Sequence, residues 1–133
     1  MNMDNTDQSM KHGALTDAVI SCFYAVYSTL GHGFLEKVYE NALLHELNKR
    51  GIRAEAQRPI SVRYDGKVVG EYFADLIVED CLIVEIKSVR CLLPEHEAQL
   101  LNYLKATDIE VGLLLNFGPK PELKRKVFDN EKK

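Results

Sequence analysis

Tryptophan is absent from this chain of 133 residues, and only three cysteines occur in it. Cys22, Cys81 and Cys91 form no CxxC pair and have no histidine nearby at a zinc-like spacing. Each lies in an apolar stretch, where a free cysteine usually packs as a small hydrophobic side chain. We therefore expect neither a disulfide framework nor a zinc site, a redox or zinc role being the less favoured alternative.

Long apolar runs are also missing. No run approaches the roughly 20 residues that a membrane-spanning helix needs, and the polar N-terminus lacks the apolar core of a signal peptide. The composition is that of an ordinary globular protein. We therefore expect a cytoplasmic protein without a membrane partner. It would comprise a disordered N-terminus at residues 1–13, a single domain at 14–128 and a polar tail at 129–133.

An excess of positive charge is lacking too, since the formal net charge is −3. Proteins that hold duplex DNA over many phosphates usually carry a basic excess. Acidic side chains that bind metal ions would, however, have their local charge reversed, and basic residues do cluster in two places. We favour a solvated face over phosphate contact for both clusters. They are Arg50, Arg53, Arg58 and Arg63, and then Lys120, Lys124, Arg125 and Lys126.

Apolar periodicity predicts two helices and then a β region. The first helix covers residues 15–30 with Thr16 as its N-cap, and the second covers residues 34–50 with Gly51 as its C′ residue. The strands expected next are residues 60–64, 67–78 and 81–89, with Asp65-Gly66 as a hairpin turn. A helix at 94–106 and a buried apolar strand at 110–117 follow. This order predicts an α/β fold with a mixed sheet.

Charged side chains interrupt the apolar pattern at one place in the β region. Because side chains alternate between the faces of a strand, Glu85 and Lys87 share one face. A three-residue loop before this strand, or a two-residue loop with a bulge, pairs Asp75 with Glu85, Leu76 with Val84 and Val78 with Leu82. Only this register keeps the other face wholly apolar, because a slip of one residue would reverse the faces. The pattern therefore predicts two carboxylates side by side, with Lys87 two residues beyond.

A divalent metal ion would suit such a pair of carboxylates. Adjacent carboxylates raise each other's pKa unless a cation lies between them. Lys87 serves in part, but a divalent cation would serve better. Oxygen ligands without soft neighbours favour Mg²⁺ or Mn²⁺. The alternative is a purely structural Asp–Lys–Glu cluster at the end of a sheet.

Four short segments together suggest a family. Asp75 is followed after nine residues by Glu85-Ile86-Lys87. The other three segments are Gly33-Phe-Leu-Glu36-Lys-Val-Tyr39, Gln99-Leu-Leu-Asn-Tyr103 and Gly112-Leu-Leu-Leu-Asn116-Phe-Gly118. In their order along the chain they resemble the PD-(D/E)XK nuclease superfamily over residues 15–128. The segments at 33–39 and 112–118 are similar to its GxxExxY group. The segment at 99–103 resembles the QxxxY element of its RecB-like members. Ala74 stands where the motif's proline would be.

The resemblance implies a restriction-endonuclease-like α-β-β-β-α-β core with an extra N-terminal helix. It also implies that Asp75 and Glu85 bind the metal ion together with the backbone carbonyl of Ile86. Glu36 would complete the metal shell directly or through water. The alternative for Glu36 is an ordinary first-turn acid that complements the helix dipole.

The resemblance further implies catalytic roles for three residues. Lys87 would position the attacking water or stabilise charge on the phosphate, and Gln99 would orient the region around Lys87. Tyr103, one helical turn after Gln99, would contact that region or the nucleic-acid backbone. Gln99 and Tyr103 have a core-packing role as the alternative, and Tyr39 is expected to be a packing residue.

The implied activity is Mg²⁺- or Mn²⁺-dependent hydrolysis of nucleic-acid phosphodiester bonds, with DNA as the favoured partner. Two other functions stay open. The chain could be a non-catalytic module that binds metal or nucleic acid. It could also be an interaction subunit, as a homodimer or in a larger nucleic-acid-processing complex.

Overall fold

A computed structural model describes residues 10–133, which form three helices and five strands. Two helices come first, then three strands, one helix and two further strands. The helices are α1 (Gly13–Leu30), α2 (Glu36–Lys49) and α3 (Pro94–Lys105). The strands are β1 (Ala54–Tyr64), β2 (Lys67–Val78), β3 (Leu82–Lys87), β4 (Val111–Phe117) and β5 (Pro121–Val127), and a 3₁₀ turn at Asn130–Lys132 follows. Most of the segment predicted to be disordered, residues 1–9, lies outside the described residues.

The five strands form one mixed sheet in the order β1-β2-β3-β4-β5. Neighbouring strands are antiparallel except β3 and β4, which are parallel and are joined by α3. Every residue of β4 is buried, because β4 lies between β3 and β5 and is covered on both faces. The predicted α/β class and the α-β-β-β-α-β core with an extra N-terminal helix are confirmed.

Two apolar cores lie on opposite faces of the sheet. On one face, α1 and α2 pack against side chains that include Leu76, Val84 and Leu113. On the other face, α3 packs against a smaller group that includes Ile83 and Leu114. The sheet is therefore the middle layer of an α/β/α arrangement.

Helix α1 has the length and composition of a membrane span, with 18 residues and a mean hydropathy of 1.2. In that respect the expectation that no segment reaches a spanning length is wrong. Core helices of globular proteins also meet this criterion, and Val19, Cys22 and Phe23 of α1 are completely buried against the sheet. Thr16, predicted as the N-cap, lies inside α1, where its hydroxyl donates to the Gly13 carbonyl at 2.9 Å.

The β region is longer than its sequence pattern indicates. Strand β1 begins at Ala54, six residues before the predicted start, and β5 was not predicted at all. Both are edge strands, in which proline and charged side chains are tolerated because one side of the strand has no hydrogen-bonding partner. The polar residues 54–59 and the basic residues 121–127 therefore did not show the apolar alternation of an inner strand.

Two turns form as expected. Asp65 and Gly66 both have positive φ values, 58° and 78°, as a two-residue hairpin turn of this kind requires. Gly51 has a φ of 78° after α2, and the Ile52 N–H donates to the Leu47 carbonyl at 2.9 Å, which closes a Schellman motif. These turns fix the start of β1 relative to α2 and the pairing of β1 with β2.

Candidate metal and nuclease site

The register of β2 and β3 brings Asp75 and Glu85 together. Leu76 pairs with Val84 and Val78 with Leu82, as predicted, so Asp75 and Glu85 are the next residues along the two strands. The backbone ladder stops at Leu76 and Val84, and the two acidic side chains replace it. The Asp75 N–H donates to Glu85 Oε2 at 2.9 Å, and the Ile86 N–H donates to Asp75 Oδ2 at 2.8 Å. The two carboxylates are thus interlocked across the end of the ladder.

The alternation of faces is broken at Asp75. Leu76 and Val78 belong to the core beneath α1 and α2, whereas Ala74 belongs to the core beneath α3, with Ile77. A regular strand would have placed Ala74 with Leu76. Strand β1 is irregular at the same level, since Gln57, opposite Asp75, has a φ of 57°. At this irregularity the Asp75 carboxylate is directed toward β3, where it accepts the Ile86 N–H.

Burial and mutual repulsion raise the pKa of both carboxyl groups. The pKa of Glu85 rises to about 8, first because the side chain is buried and then because the Asp75 charge lies beside it. Burial is also the largest cause of the raised pKa of Asp75, and the charges of Glu40 and Glu36 add to it. The Lys87 ammonium opposes both shifts. With both carboxyl groups ionised, the site would therefore carry more negative charge than Lys87 neutralises.

Lys87, Gln99 and Tyr103 form a hydrogen-bonded chain from β3 to α3. Lys87 Nζ donates to Gln99 Oε1 at 3.2 Å, and Gln99 Nε2 donates to the Tyr103 hydroxyl at 3.2 Å. The spacing of four residues places Gln99 and Tyr103 on one face of α3. Burial raises the pKa of Tyr103 to about 12, with the Glu85 charge as the next cause. The structure thus brings together the three residues that the sequence singled out.

Helix α2 presents two acidic residues near Asp75, of which the sequence singled out only one. Glu36 is exposed at the first turn, whereas Glu40, one turn later, is 4% exposed. Glu40 accepts from Gln57 Nε2 and from Lys37 Nζ, each at 2.8 Å. The spacing from Glu36 to Glu40 places both on one helix face, and that spacing is the signal that would have found Glu40.

The start of α2 is fixed to the end of β3. Tyr39 is fully buried against Phe117, with ring centroids 4.2 Å apart, and its hydroxyl donates to the Gly31 carbonyl at 2.7 Å. The expectation of a packing role for Tyr39 is confirmed. The Ser88 hydroxyl donates to the Phe34 carbonyl at 2.9 Å. These contacts place the first turn of α2, and with it Glu36, beside the strand end that carries Lys87.

Asn116 holds the segment that follows Lys87. Its side chain is fully buried and bonds both to the N–H of Val89, at 2.9 Å, and to the carbonyl of Val89, at 3.0 Å. The Asn116 amide also donates to Glu122 Oε1 at 2.9 Å. Gly118 lies directly against this segment, because a Cβ there would approach the Val89 carbonyl oxygen to 2.1 Å. In the sequence, Asn116 and Gly118 could be recognised only as parts of a family pattern, without this role.

Most of the first basic cluster is neutralised by acidic neighbours. Arg53 and Arg58 both bond to Asp80, at 3.0 Å and 2.7 Å, and Arg50 bonds to Glu46. Among the described residues, Arg63 makes no salt bridge. In the second cluster, Lys126 bonds to Glu97 at 2.6 Å. The favoured interpretation of a solvated face thus fits the paired residues, and Arg63 remains available to an anion.

The donor set fits a hard divalent cation held by few protein ligands. Within residues 10–133, no group of three or more His, Cys, Asp or Glu side chains is arranged to hold a metal ion. Asp75 and Glu85 each use one carboxylate oxygen in the interlocking bonds, and in the described part of the chain the other oxygen has no hydrogen-bond partner. A cation between them would lower both raised pKa values. Mg²⁺ is commonly bound by one or two carboxylates, with water and phosphate as the remaining ligands.

Comparison with known proteins agrees with this geometry. A family model of the PD-(D/E)XK nuclease superfamily matches residues 13–126. Among solved structures, the crystal structure of SSO0001 is similar, with a TM-score of 0.56 and 22% sequence identity over 72% of this chain and 51% of that one. The chain thus spans about half the length of the SSO0001 chain, and at this identity the likeness shows the fold alone. No curated protein matches the chain significantly.

Proposed function

The chain belongs to the PD-(D/E)XK nuclease superfamily, and from this we propose that it is a divalent-metal-dependent nuclease with its site at Asp75, Glu85 and Lys87. The observation that carries the proposal is the interlocking of the two carboxylates where the β2–β3 ladder ends. A nucleic acid is the partner of such an enzyme. The GxxExxY group and a homodimer or larger complex stay predictions.

Asp75 and Glu85 are the residues that would hold Mg²⁺ or Mn²⁺, together with the backbone carbonyl of Ile86. The exposed Glu36 would complete the shell through water. It lies on the first turn of α2, and its charge raises the pKa of both Asp75 and Glu85. Glu40 is engaged with Lys37 and Gln57, so its role would be to fix α2 to β1 beside Asp75. A bound divalent cation supplies Lewis-acid activation of phosphate and water.

Lys87 would contribute positive charge at the phosphate. Its ammonium is held at one end of the hydrogen-bonded chain through Gln99 to Tyr103, which restricts where the charge can lie. Charge fixed in advance stabilises a transition state more than a mobile side chain does, because no reorganisation is needed during the reaction. Gln99 and Tyr103 are positioning residues in this scheme, since they act on the phosphate through Lys87.

A purely structural cluster is disfavoured by its energy. Burying a carboxylate beside another costs free energy unless a cation compensates it. Glu85 is 4% exposed and lies between apolar residues of β3, so its ionisation carries this free-energy cost. A site that binds a divalent cation during function explains why such a pair is retained, whereas a packing role would be filled equally well by two uncharged residues.

The test is cleavage of labelled single-stranded, linear duplex and circular DNA, and of RNA, with Mg²⁺, Mn²⁺ or EDTA. The matched variants are Lys87→Ala in the site and Lys67→Ala, an exposed lysine at the start of β2. We expect metal-dependent cleavage that Lys87→Ala reduces by about a hundredfold or more and Lys67→Ala leaves unchanged. Equal cleavage by both variants would contradict the proposal. Metal binding without cleavage of any substrate would favour the non-catalytic binding module.

A further inference from the structure

A cavity of about 690 Å³ opens between the β1–β2 hairpin and α3. Its volume lies in the range of sites that bind small molecules or single nucleotides. The residues that matter for its chemistry are Arg63, Tyr72, Gln99, Asn102, Tyr103 and Lys105. Gln99 and Tyr103 also belong to the hydrogen-bonded chain that holds Lys87. The cavity therefore shares two side chains of α3 with the proposed nuclease site.

Tyr72 offers an aromatic surface in this cavity. Its side chain is 50% exposed, although Tyr103 next to it is only 6% exposed. The ring centroids of the two tyrosines lie 5.6 Å apart at an angle of 42°, so Tyr103 supports Tyr72 from one side. Gly70, two residues before Tyr72, adds no side chain, and apart from its chain neighbours a Cβ built there would meet, among the described residues, just the Tyr72 ring at 3.9 Å. One side of the tyrosine ring is therefore open to a planar ligand.

Two cations border the same cavity. Arg63 makes no salt bridge to the rest of residues 10–133, unlike Arg58 on the same strand and Arg53 just before it. Lys105 lies on the α3 side, 5.6 Å from the Phe128 ring. Glu95 is an acidic group on the lining, so the cavity carries one more positive than negative charge. An aromatic surface beside cations is the arrangement that binds the bases and phosphates of single strands.

We propose that this cavity binds an unpaired nucleotide of the substrate, with its base stacked on Tyr72 and its phosphate near Arg63. Inside a duplex both faces of a base are covered by its stacked neighbours, so a base can offer a face to Tyr72 in a single strand or at a strand end but not within a duplex. The inference rests on the proposed function and makes it more specific: the enzyme acts on a single strand or on the unpaired end of a duplex. The formal net charge of −3 agrees, because stacking replaces part of the phosphate contact.

Binding is the direct test, measured by fluorescence anisotropy in the Lys87→Ala background to prevent cleavage. Two probes are used. One is a fluorescein-labelled single-stranded oligonucleotide, and the other is the same oligonucleotide annealed to its complement. The variants are Tyr72→Ala, Tyr72→Phe and the control Tyr64→Ala, an exposed tyrosine of the same hairpin outside the cavity lining. We expect Tyr72→Ala to raise the Kd for the single strand about tenfold. Tyr72→Phe and Tyr64→Ala should leave this Kd within about twofold of the parent value, because both variants keep an aromatic ring at position 72.

Cleavage by the same cavity variants, made with Lys87 intact, separates this inference from the nuclease proposal. If Tyr72→Ala binds both probes as the parent does, and metal-dependent cleavage is unchanged, the cavity inference is overturned and the nuclease stands. If no variant cleaves any nucleic acid but Tyr72→Ala still loses the single strand, the nuclease proposal fails and the cavity remains a binding site. Tighter binding of the duplex than of the single strand, unaffected by Tyr72, would also overturn the inference.

Discussion

Substitution of Glu85 by glutamine gives the sharpest physical prediction, which concerns stability rather than activity. The pKa of Glu85 rises from 4.5 to about 8 on folding. A raised carboxyl pKa favours the folded state at low pH, and this contribution is lost as the pH rises from about 4.5 through about 8. In EDTA, the wild-type protein should therefore lose stability between pH 6 and pH 9, because the folded state must release a proton that the unfolded state no longer carries.

The size of the effect follows from the proton count. While the folded state binds one more proton than the unfolded state, stability falls by about 1.4 kcal/mol for each pH unit. Between pH 6 and the folded pKa of about 8, the loss is about 2–3 kcal/mol. Glutamine has no such proton, and its amide oxygen can still accept the Asp75 N–H bond. We therefore expect the Glu85→Gln variant to lose less of its stability over this interval than the wild type.

Urea unfolding at pH 6 and pH 9 in EDTA measures this difference, with Glu71→Gln, an exposed acid of β2, as the control. The control should follow the wild type at both pH values. Addition of Mg²⁺ at pH 9 should restore stability to the wild type but not to Glu85→Gln, because a ligand that binds only the folded state stabilises it. Equal pH dependence in the wild type and Glu85→Gln would refute the account of two repelling buried carboxylates.

Two further predictions concern the residues around the site. Asn116→Ala should destabilise the protein by about 1–3 kcal/mol in urea unfolding, because the partly buried N–H and carbonyl of Val89 lose their partners; an unchanged stability would argue against this role. Tyr103→Phe should slow cleavage about three- to tenfold by removing one hydrogen bond to Gln99. Tyr103→Phe should not change the pH dependence of the cleavage rate below pH 10, because the Tyr103 pKa is about 12. If the variant lost a fall in rate that the wild type shows at alkaline pH, that result would contradict a positioning role.

The pairing of Asp75 with Glu85 could be predicted because a register is strongly specified wherever one face of a sheet is buried. Leu76, Val84 and Leu82 are apolar, and a slip of one residue would have exposed them. The proximity of Gln99 and Tyr103 could be predicted from their helical spacing. The placement of these residues near Lys87 came from the family resemblance, since no pattern within α3 indicates which strand it covers.

Other parts of the structure could not be predicted from local pattern. Strand β5 alternates charged side chains with few apolar ones, which resembles a solvated tail more than a strand. The spacing of Glu40 from Glu36 indicates a shared helix face, but its burial and its contact with Gln57, distant in sequence, could not be read from that spacing. The cavity beside Tyr72 depends on the distance between a hairpin and a helix. Such spacing arises from tertiary packing and leaves no periodic signal in the sequence.

The most direct test of the central claim measures metal binding and cleavage on the same samples. Wild-type protein, Asp75→Asn and the control Glu71→Gln would be titrated with Mn²⁺, with bound metal followed by electron paramagnetic resonance and cleavage by release of a labelled oligonucleotide. We predict that cleavage by the wild type and by Glu71→Gln rises in proportion to bound metal, whereas Asp75→Asn neither binds at this site nor cleaves. Undiminished cleavage by Asp75→Asn would contradict the claim that this carboxylate pair is the nuclease site.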